Sequence, residues 1–447
     1  MSTHAKISRI LTNHHSSKAI LGGLLLSGVI TAALPASAAT LCVNSAGKFG
    51  CSATIGAAVS AAAAGDVIKV YPGVYNEQVT ITKSLSLVAV GDDTETTIDA
   101  SNLANGIFVN GMSAAPNAGV ANVLISGFRI RNANFEGILV VNGSNVTIVN
   151  NHVTENNRLL DIAGGTCPGI PAFETNEGDD CGEGIHLMGA DHSSVVRNDV
   201  DRNSGGILIS DETGPSQENL ISENHVHDNP FDCGITLASH GPATSVIPTA
   251  TVSYGVWHNT ISGNVSEHNG LQLPGAGAGV GMFAPFPGTA ASGNVVIHNV
   301  LRNNGLPGVT MHNHASAPAP APGVNLNDNV IVGNHISGNA ADTEDAATPG
   351  TTGVNIFSTA PITGTVVAEN DFDNEAIDVA FNAPGGQVNV HFNDFSRGIG
   401  VDNLGAGTVD ATDNWWHCRA GAGSGSCASA TGTGVSWTPW LTSPFSD

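Results

Sequence analysis

The chain has 447 residues, of which 38 are acidic and 14 are basic, so its formal net charge is −24. Nucleic acids and anionic membranes bind through basic surfaces, and this charge excludes both as partners. Charged residues make up only 12% of the chain, against about 25% in ordinary globular proteins, whereas 55 residues are glycine. The 41% of hydrophobic residues is enough to form a core, which excludes wholesale disorder.

The first 38 residues are predicted to be a secretory signal peptide rather than part of the fold. Lys6, Arg9 and Lys18 precede an apolar run over residues 19–34, and small residues at 36–38 supply a cleavage site. That run is shorter than the stretch of about 20 apolar residues that a membrane-spanning helix needs. No second apolar run follows. We therefore expect a secreted or periplasmic chain that does not insert into the membrane.

Seven cysteines fit an oxidising compartment, where disulfides are the default. Three pairs are close enough in sequence to close short loops: Cys42 with Cys51, Cys167 with Cys181, and Cys418 with Cys427. The sequence leaves their connectivity open, and Cys233 is left over, with burial before a strand as the expectation. No Cys-x-x-Cys occurs, so neither a zinc ribbon nor a redox motif is indicated.

Residues 39–64 are predicted to cap the first coil of the fold. Within them, residues 53–64 are rich in alanine and predict a helix. Such a helix would cover the open end of a stack of strands, whose unpaired backbone groups otherwise invite aggregation.

Between residues 65 and 413 the chain repeats a short pattern, which is typical of a stacked-coil fold. Pairs of asparagines five residues apart recur, and each is followed by Gly-apolar-x-apolar. The pairs are Asn151/Asn156, Asn198/Asn203, Asn224/Asn229, Asn259/Asn264, Asn299/Asn304 and Asn334/Asn339. The glycines are Gly137, Gly184, Gly206, Gly234, Gly279, Gly308, Gly353 and Gly398, with Ala376 in a weaker copy.

The alternation of apolar residues in these copies predicts short strands that bury one face, while glycine and asparagine take the corners. Stacking each coil on the previous one buries a core that no single coil can form. The short period excludes helical repeats. The sequence therefore predicts an all-β, single-domain fold, a right-handed parallel β-helix of about ten coils.

Ionisable residues collect at equivalent outward positions of neighbouring coils when the repeats are aligned. Asp211 and Glu212 follow one strand, and His240 follows the next, which at the usual strand spacing places Glu212 and His240 about 5 Å apart. Glu183 and His186 flank the glycine of the coil before. We predict that these five residues are catalytic and lie on the outer face.

Three more residues on the same side are predicted to bind substrate. His312 and His314 lie two coils beyond His240, and Phe283 offers an aromatic wall for a sugar ring. A flat outer face suits a polymer that crosses several coils. The competing interpretation is that polar residues after a strand only cap a turn, and that Phe283 packs in the interior.

Two further patterns suit a metal ion. Asp179 and Asp180 lie beside Cys181 and can hold calcium, the one cofactor that we suggest. His225 and His227 alternate along a strand, which places two imidazoles on one face. Because any alternating strand offers this spacing, exposed histidines without a metal are the more common arrangement.

Residues 414–447 are predicted to form a C-terminal cap rich in tryptophan. Trp415, Trp416, Trp437 and Trp440 are concentrated there. Because this cluster follows the final repeat, we favour a hydrophobic cap over the last coil, with a sugar-stacking platform as the alternative.

Two segments carry a resemblance to a known superfamily. Residues 65–77, GDVIKVYPGVYNE, and their continuation VTITKSLSL resemble the first coil of the secreted pectin-lyase-like β-helix superfamily. The closing Asn414-Trp415-Trp416 and Thr438-Pro439-Trp440-Leu441 resemble the last coil of bacterial right-handed β-helix repeat proteins. The resemblance implies the fold but no residue's role, because this superfamily includes lyases, hydrolases, esterases, epimerases and proteins without known chemistry.

The fold, the export signal and the acid and histidine residues together predict an enzyme that cleaves a polysaccharide by hydrolysis or by elimination. The acidic chain favours a neutral glycan unless calcium bridges an anionic one. One alternative is a non-catalytic extracellular protein that binds a glycan. The other is a periplasmic copper-handling protein that uses the histidines. We expect a monomer in each case.

Overall fold

Each coil of the protein contributes short strands to three long parallel sheets, as the repeated apolar alternation requires. The computed structural model describes residues 38–91, 95–112, 119–157, 182–240, 254–285, 288–313, 324–343 and 348–445. The predicted signal peptide up to residue 37, the Cys167–Cys181 pair, Asp179, Asp180 and His314 lie outside these ranges.

The strands of each sheet are neighbours in space and come from successive coils. Fourteen described strands form the first sheet: Thr40–Val43, Val67–Val70, Leu85–Ala89, Val120–Ser126, Gly143–Val149, Ser194–Val196, Leu220–Ser222, Thr260–Ser262, Val295–Ile297, Val330–Val332, Val366–Ala368, Gln387–His391, Thr408–Asp410 and Val435–Ser436. Ten described strands form the second sheet: Gly73–Tyr75, Thr96–Asp99, Arg129–Arg131, His152–Thr154, Asp199–Asp201, His225–His227, Val265–Glu267, Val300–Arg302, His335–Ser337 and Asp371–Asp373.

Twelve described strands form the third sheet: Val79–Ile81, Ile107–Asn110, Ile138–Val141, Glu183–Met188, Gly205–Ser210, Ile235–Ala238, Val280–Phe283, Val309–His312, Thr352–Phe357, Ile377–Asn382, Ile399–Asn403 and Ser429–Gly432. A short fourth sheet consists of Ser216–Gln217, Val256–Trp257 and Ala291–Ser292. The predicted parallel β-helix is confirmed, and its stacked strands extend beyond residues 65–413 at both ends.

The predicted register of the third sheet is confirmed over its central coils. Ile185 pairs with Ile207 and Ile207 with Ile235, and the register continues through Val280 and Val309. All five side chains are buried in the one large core that the sheets enclose. At this position the interior of the solenoid is therefore a stack of aliphatic side chains, one from each of five successive coils.

The last two predicted copies of the repeat are wrong by two residues. Val354 pairs with Val379, so Asp378 rather than Ala376 faces Gly353. Val379 pairs in turn with Val401, which makes Gly400 rather than Gly398 the equivalent glycine. A shift of two residues preserves the alternation of a strand, so apolar pattern alone cannot exclude it.

The asparagines form ladders of buried side-chain amides that run along the solenoid. One ladder links Asn151, Asn198, Asn224, Asn264, Asn299, Asn334, Asn370, Asn393 and Asn414 through amide-to-carbonyl hydrogen bonds. A second links Asn156, Asn203, Asn229, Asn269, Asn304 and Asn339 and ends on Glu375. A third links Asn219, Asn259, Asn294 and Asn329.

The third ladder corrects one predicted asparagine pair. Asn264 is equivalent to Asn224, and its partner five residues later is Asn269, whereas Asn259 belongs to the third ladder. Several coils carry three asparagines at a spacing of five, so the spacing alone does not show which two of the three are equivalent to the pair in another coil.

Glu375 replaces asparagine at the end of the second ladder. Its buried position disfavours the ionised form of its carboxyl group. Its Oε1 accepts hydrogen bonds from the backbone N (2.9 Å) and the side-chain Nδ2 (3.0 Å) of Asn339. Its Oε2 is buried without a hydrogen-bond partner among the described residues. Burial raises the pKa of Glu375 from 4.5 to about 7, in spite of the hydrogen bonds from Asn339 that lower it.

We expect stability to fall with pH because of this carboxyl group. The folded chain holds the proton more tightly than the unfolded chain, so the contribution is complete below about pH 4.5 and is lost as the pH rises to about 7. Glu375→Gln keeps the acceptor without the charge. This variant is expected to match the parent protein at pH 4.5 and to exceed it at pH 8 by up to about 3 kcal/mol.

Thermal melts of both proteins at pH 4.5 and pH 8 test this expectation. The exposed Glu223, changed to Gln, is the matched control and should leave the pH dependence unchanged. Equal melting temperatures of Glu375→Gln and the parent at pH 8 would contradict the assignment.

The two predicted caps are present. The N-terminal helix, Ile55–Ala61, is shorter than predicted, and Thr54 is its N-cap. The Glu77 carboxylate accepts hydrogen bonds from the first backbone N–H groups of this helix, from Ile55 at 2.7 Å and from Gly56 at 2.8 Å. At the other end Trp416 is fully buried against Phe395, with ring centroids 4.8 Å apart. Trp437 and Trp440 pack against the same core but are only partly buried, and a hydrophobic cap stays the favoured interpretation of the cluster.

Two of the three candidate cysteine pairs, Cys42–Cys51 and Cys418–Cys427, form disulfides. Among the described residues no helix is both long enough and apolar enough to cross a membrane.

Candidate active site

The predicted acid and histidine residues meet where two adjacent strands of the third sheet end. Ser210 and Ala238 are the last paired residues of strands Gly205–Ser210 and Ile235–Ala238. The chain then continues through Asp211-Glu212 in one coil and Ser239-His240 in the next. The Nδ1 of His240 lies 2.5 Å from Oε1 of Glu212, so the predicted proximity of these two residues is observed.

A chain of contacts continues from Glu212 across two more coils. Ser210 Oγ donates to Glu212 Oε2 at 2.5 Å and lies 2.7 Å from Nε2 of His186. The Nδ1 of His186 is 3.1 Å from Oε1 of Glu136. Glu136, His186, Ser210, Glu212 and His240 thus form one continuous polar chain, which we call the acid–imidazole relay.

Asp211 lies beside the relay but makes different contacts. Its Oδ1 accepts from the backbone N of His240 at 2.6 Å, and its Oδ2 accepts from Ser239 Oγ at 3.0 Å and from the backbone N of Gly255. Both oxygens are therefore engaged by donors that fix the backbone next to His240. Asp211 therefore contacts the backbone of His240 and the hydroxyl of Ser239, and its catalytic role stays a prediction.

The adjacent carboxyl groups of Asp211 and Glu212 have very different pKa values. Burial and the negative charge of Glu212 raise the pKa of Asp211 to about 7, although hydrogen bonds from Gly255 and His240 oppose the rise. Burial also acts to raise the pKa of Glu212, but His240 above all, then His186 and Ser210, outweigh it and lower that pKa to about 2. Glu212 is thus ionised at neutral pH, and its carboxylate lies beside the ring of His240. Separated carboxyl pKa values of this kind accompany acid and base roles in active sites.

The five residues that we predicted to lie on the outer face are buried. Asp211, Glu212 and His186 are fully buried, and His240 and Glu183 are 1% exposed. The outward positions of the third sheet also carry apolar side chains that pack into two small clusters. These clusters contain Leu139, Val141, Met188, Leu208, Ala238 and Phe283, joined by Cys233, Ala278 and Leu306 from segments that precede the strands.

Two of the predicted substrate-binding residues, Phe283 and His312, lie on adjacent strands, and Phe283 pairs in register with Ala238, two residues before His240. Phe283 pairs in register with His312, and their rings meet edge to face with centroids 4.7 Å apart. Both are almost fully buried, and Nε2 of His312 is 4.0 Å from Oδ2 of Asp342. Phe283 packs in the small cluster with Leu208 and so is not an exposed stacking wall.

Glu183 has a counterpart that the sequence analysis missed. Its carboxylate, that of Glu136 and the ring of His186 have ligand atoms within 4.8 Å of one another, and all three side chains are buried. Glu136 precedes Gly137 as Glu183 precedes Gly184, so the repeat itself carried the signal that could have found it. Ser210 was missed because a serine that ends a strand is inconspicuous.

Cys233 is buried, as predicted, and is in no disulfide with a described cysteine. Burial raises the pKa of its thiol well above the ordinary value, and its Sγ accepts from the backbone N of Ala278 at 3.2 Å. Such a thiol is not a nucleophile at neutral pH.

Residues 77–269 match the family model described as the right handed beta helix region. Among solved structures, the chain is similar to the A-module of Azotobacter vinelandii mannuronan C-5 epimerase AlgE4, with a TM-score of 0.50, 14% identity, and coverage of 79% of this chain and 94% of that one. The Agl-KA catalytic domain gives a TM-score of 0.50 at 12% identity, covering 86% of this chain and 64% of that one. Geobacillus virus E2 ORF18 gives 0.49 at 12% identity, covering 82% and 59%.

The chain spans less than two thirds of the length of the Agl-KA domain and of the virus protein. A search of curated protein sequences finds no match. At these identities the similarity establishes the fold and not the chemistry. The chain therefore has the right-handed parallel β-helix fold.

Proposed function

We propose that the protein is an exported enzyme that cleaves a polysaccharide, and that His240 exchanges the proton in that reaction. The observation that carries the proposal is the acid–imidazole relay, in which contacts of 2.5 to 3.1 Å connect Glu136 to His240 across neighbouring coils. Ionisable groups in such dense contact are uncommon in a chain with only 12% charged residues.

Within the relay, Glu212 orients His240. Its Oε1 faces Nδ1 of the ring, which leaves Nε2 as the nitrogen that is directed away from Glu212. An ionised carboxylate at Nδ1 makes the imidazole more basic and stabilises the imidazolium that forms when it takes a proton. Ser210, His186 and Glu136 fix Glu212 in turn and are positioning residues.

Either of two cleavage reactions can use this pair. In hydrolysis, His240 takes a proton from water, the water oxygen bonds to the anomeric carbon, and the glycosidic C–O bond breaks; the leaving oxygen takes a proton from solvent, and His240 then releases its own proton to solvent. In elimination, His240 takes the proton beside a uronate carboxylate, a C=C bond forms as the glycosidic C–O bond breaks, and the leaving oxygen takes a proton from solvent, to which His240 then releases its own. The net charge of −24 favours the first, because an anionic chain is repelled.

Fold and compartment support the same proposal. AlgE4 is named as a mannuronan epimerase and has this fold, so the β-helix accommodates an enzyme that acts on a polysaccharide. The two disulfides are compatible with an oxidising compartment.

Non-catalytic glycan binding is the second candidate, and the burial of the relay favours it. The side chains of the relay are 0 to 1% exposed, and a buried polar network with a purely structural role has the same low exposure. The two candidates differ in whether any product forms.

Incubation with a panel of neutral and anionic polysaccharides, followed by mass spectrometry, distinguishes them. We expect one glycan to yield shorter products whose masses show a gain of water for hydrolysis, or unsaturated ends for elimination. Saturable retention on a glycan without any product would support the binding protein and contradict the enzyme.

A further inference from the structure

A second cluster of histidines and acids lies on the outer face of the second sheet, away from the third-sheet relay. Strands Asp199–Asp201 and His225–His227 pair so that Asp199 faces His225 and Asp201 faces His227. Alternation directs these four side chains outward, while Val200 and Val226 between them are buried in the core. The pairing of the two strands brings Asp199 beside His225, although these residues are far apart in sequence.

Three atoms of this cluster converge on one point. Oδ1 of Asp199 is 3.1 Å from Nε2 of His227 and 3.7 Å from Nδ1 of His225. The three potential ligand atoms lie within 4.8 Å of one another. The two imidazole rings are stacked with centroids 4.0 Å apart, so their position is already ordered.

Each histidine also has a carboxylate at its other ring nitrogen. Nδ1 of His227 is 2.8 Å from Oδ2 of Asp228, and Nε2 of His225 is 2.9 Å from Oε1 of Glu267. Glu267 is held in turn by Arg302, whose Nε is 2.5 Å from its Oε2. Outer carboxylates of this kind orient a metal-binding imidazole, select its tautomer and increase its basicity.

We infer that Asp199, His225 and His227 bind a divalent first-row transition-metal ion such as Zn²⁺. Two imidazoles and one carboxylate are a ligand set that such ions prefer, whereas calcium and magnesium prefer oxygen ligands alone. The side chains of Asp199 and His225 are each 45% exposed, so an ion reaches them from solvent without any opening of the fold.

The site is open rather than closed by protein. Three protein ligands leave one tetrahedral position for water or for a group of a bound molecule. A third imidazole, that of His152, has its Nε2 2.8 Å from Oδ1 of Asp201 and 3.8 Å from Oδ2 of Asp199. The ion is independent of the proposed cleavage reaction, because the relay lies on a different sheet.

Calorimetric titration of ZnCl₂ into the metal-free full chain tests the inference. We expect one ion to bind per chain with micromolar or tighter affinity. The double variant His225→Ala/His227→Ala should weaken this binding by about 100-fold or more, since it removes two of three ligands. Added CaCl₂ in excess should not displace the zinc.

His335→Ala is the matched control. His335 lies further along the same face and pairs with Asp371 at 3.0 Å, but it is outside the cluster. This variant should bind zinc like the parent, and zinc should raise the melting temperature of both but not that of the double variant. Absence of zinc binding by the parent, or equal binding by the double variant and by His335→Ala, would overturn the inference.

Discussion

Replacing Glu212 by glutamine is expected to lower kcat on the polysaccharide that responds by about 10³-fold, with the fold intact. Glutamine has the same shape and can still accept from Ser210 Oγ, which donates to Glu212 Oε2 at 2.5 Å. It carries no charge, so the imidazolium of His240 loses the partner that lies 2.5 Å from its Nδ1. The loss should therefore appear in kcat more than in KM, because the charge develops in the transition state.

Steady-state kinetics with a melting curve of each variant measure this effect. Glu218→Gln is the control, since Glu218 is an exposed residue six positions further along that pairs with His192 on the surface. It should retain the parent's kcat. If Glu212→Gln retained more than half of the parent's activity, Glu212 would have no part in proton transfer.

Asn264→Ala is expected to destabilise the fold by about 3 kcal/mol, the largest stability effect that we predict for a single ladder position. The side chain of Asn264 donates to Asn299 Oδ1 and to the Ile221 carbonyl, each at 2.9 Å. Its Oδ1 accepts from the backbone N and the side-chain Nδ2 of Asn224, each at 2.9 Å. Alanine removes all four bonds and leaves the backbone N–H of Asn224 buried and unsatisfied.

Urea denaturation of the variant and the parent measures this loss. Asn76→Ala is the control, because Asn76 is an exposed residue that does not belong to a ladder. It should change the unfolding midpoint little. An equally small effect of Asn264→Ala would show that neighbouring coils compensate for the lost amide, and that the ladders do not hold the coils together.

The fold could be predicted from the sequence because every coil of a solenoid carries the same pattern of residues. Alternation, corner glycines and ladder asparagines recur in every coil, so the register from Ile185 to Val309 follows from aligning the copies. The predicted alignment of the repeats was wrong where two alignments fit the residue pattern equally well. A two-residue slip at Ala376 and a five-residue slip at Asn259 both preserve the local pattern.

The candidate site was only half predictable for a related reason. Register brought Glu212 and His240 together, and the contact between them follows from the alignment. Burial did not follow, because the alternation within a strand does not show which side chains of other segments pack against its outward positions. Asp199 faces His225 on the neighbouring strand, but its carboxylate also contacts His227, two residues further along that strand. The spacing between strands does not predict this second contact.

The central claim is that Glu212 and His240 act as one unit in cleavage, and a double-mutant cycle on kcat/KM tests it most directly. Glu212→Gln, His240→Ala and the double variant are compared with the parent on the same polysaccharide, each with its melting curve. We predict that the double variant loses no more than His240→Ala alone, because a carboxylate that acts only through His240 has no function once the ring is removed. Losses that multiply in the double variant, or a fully active His240→Ala, would contradict the claim.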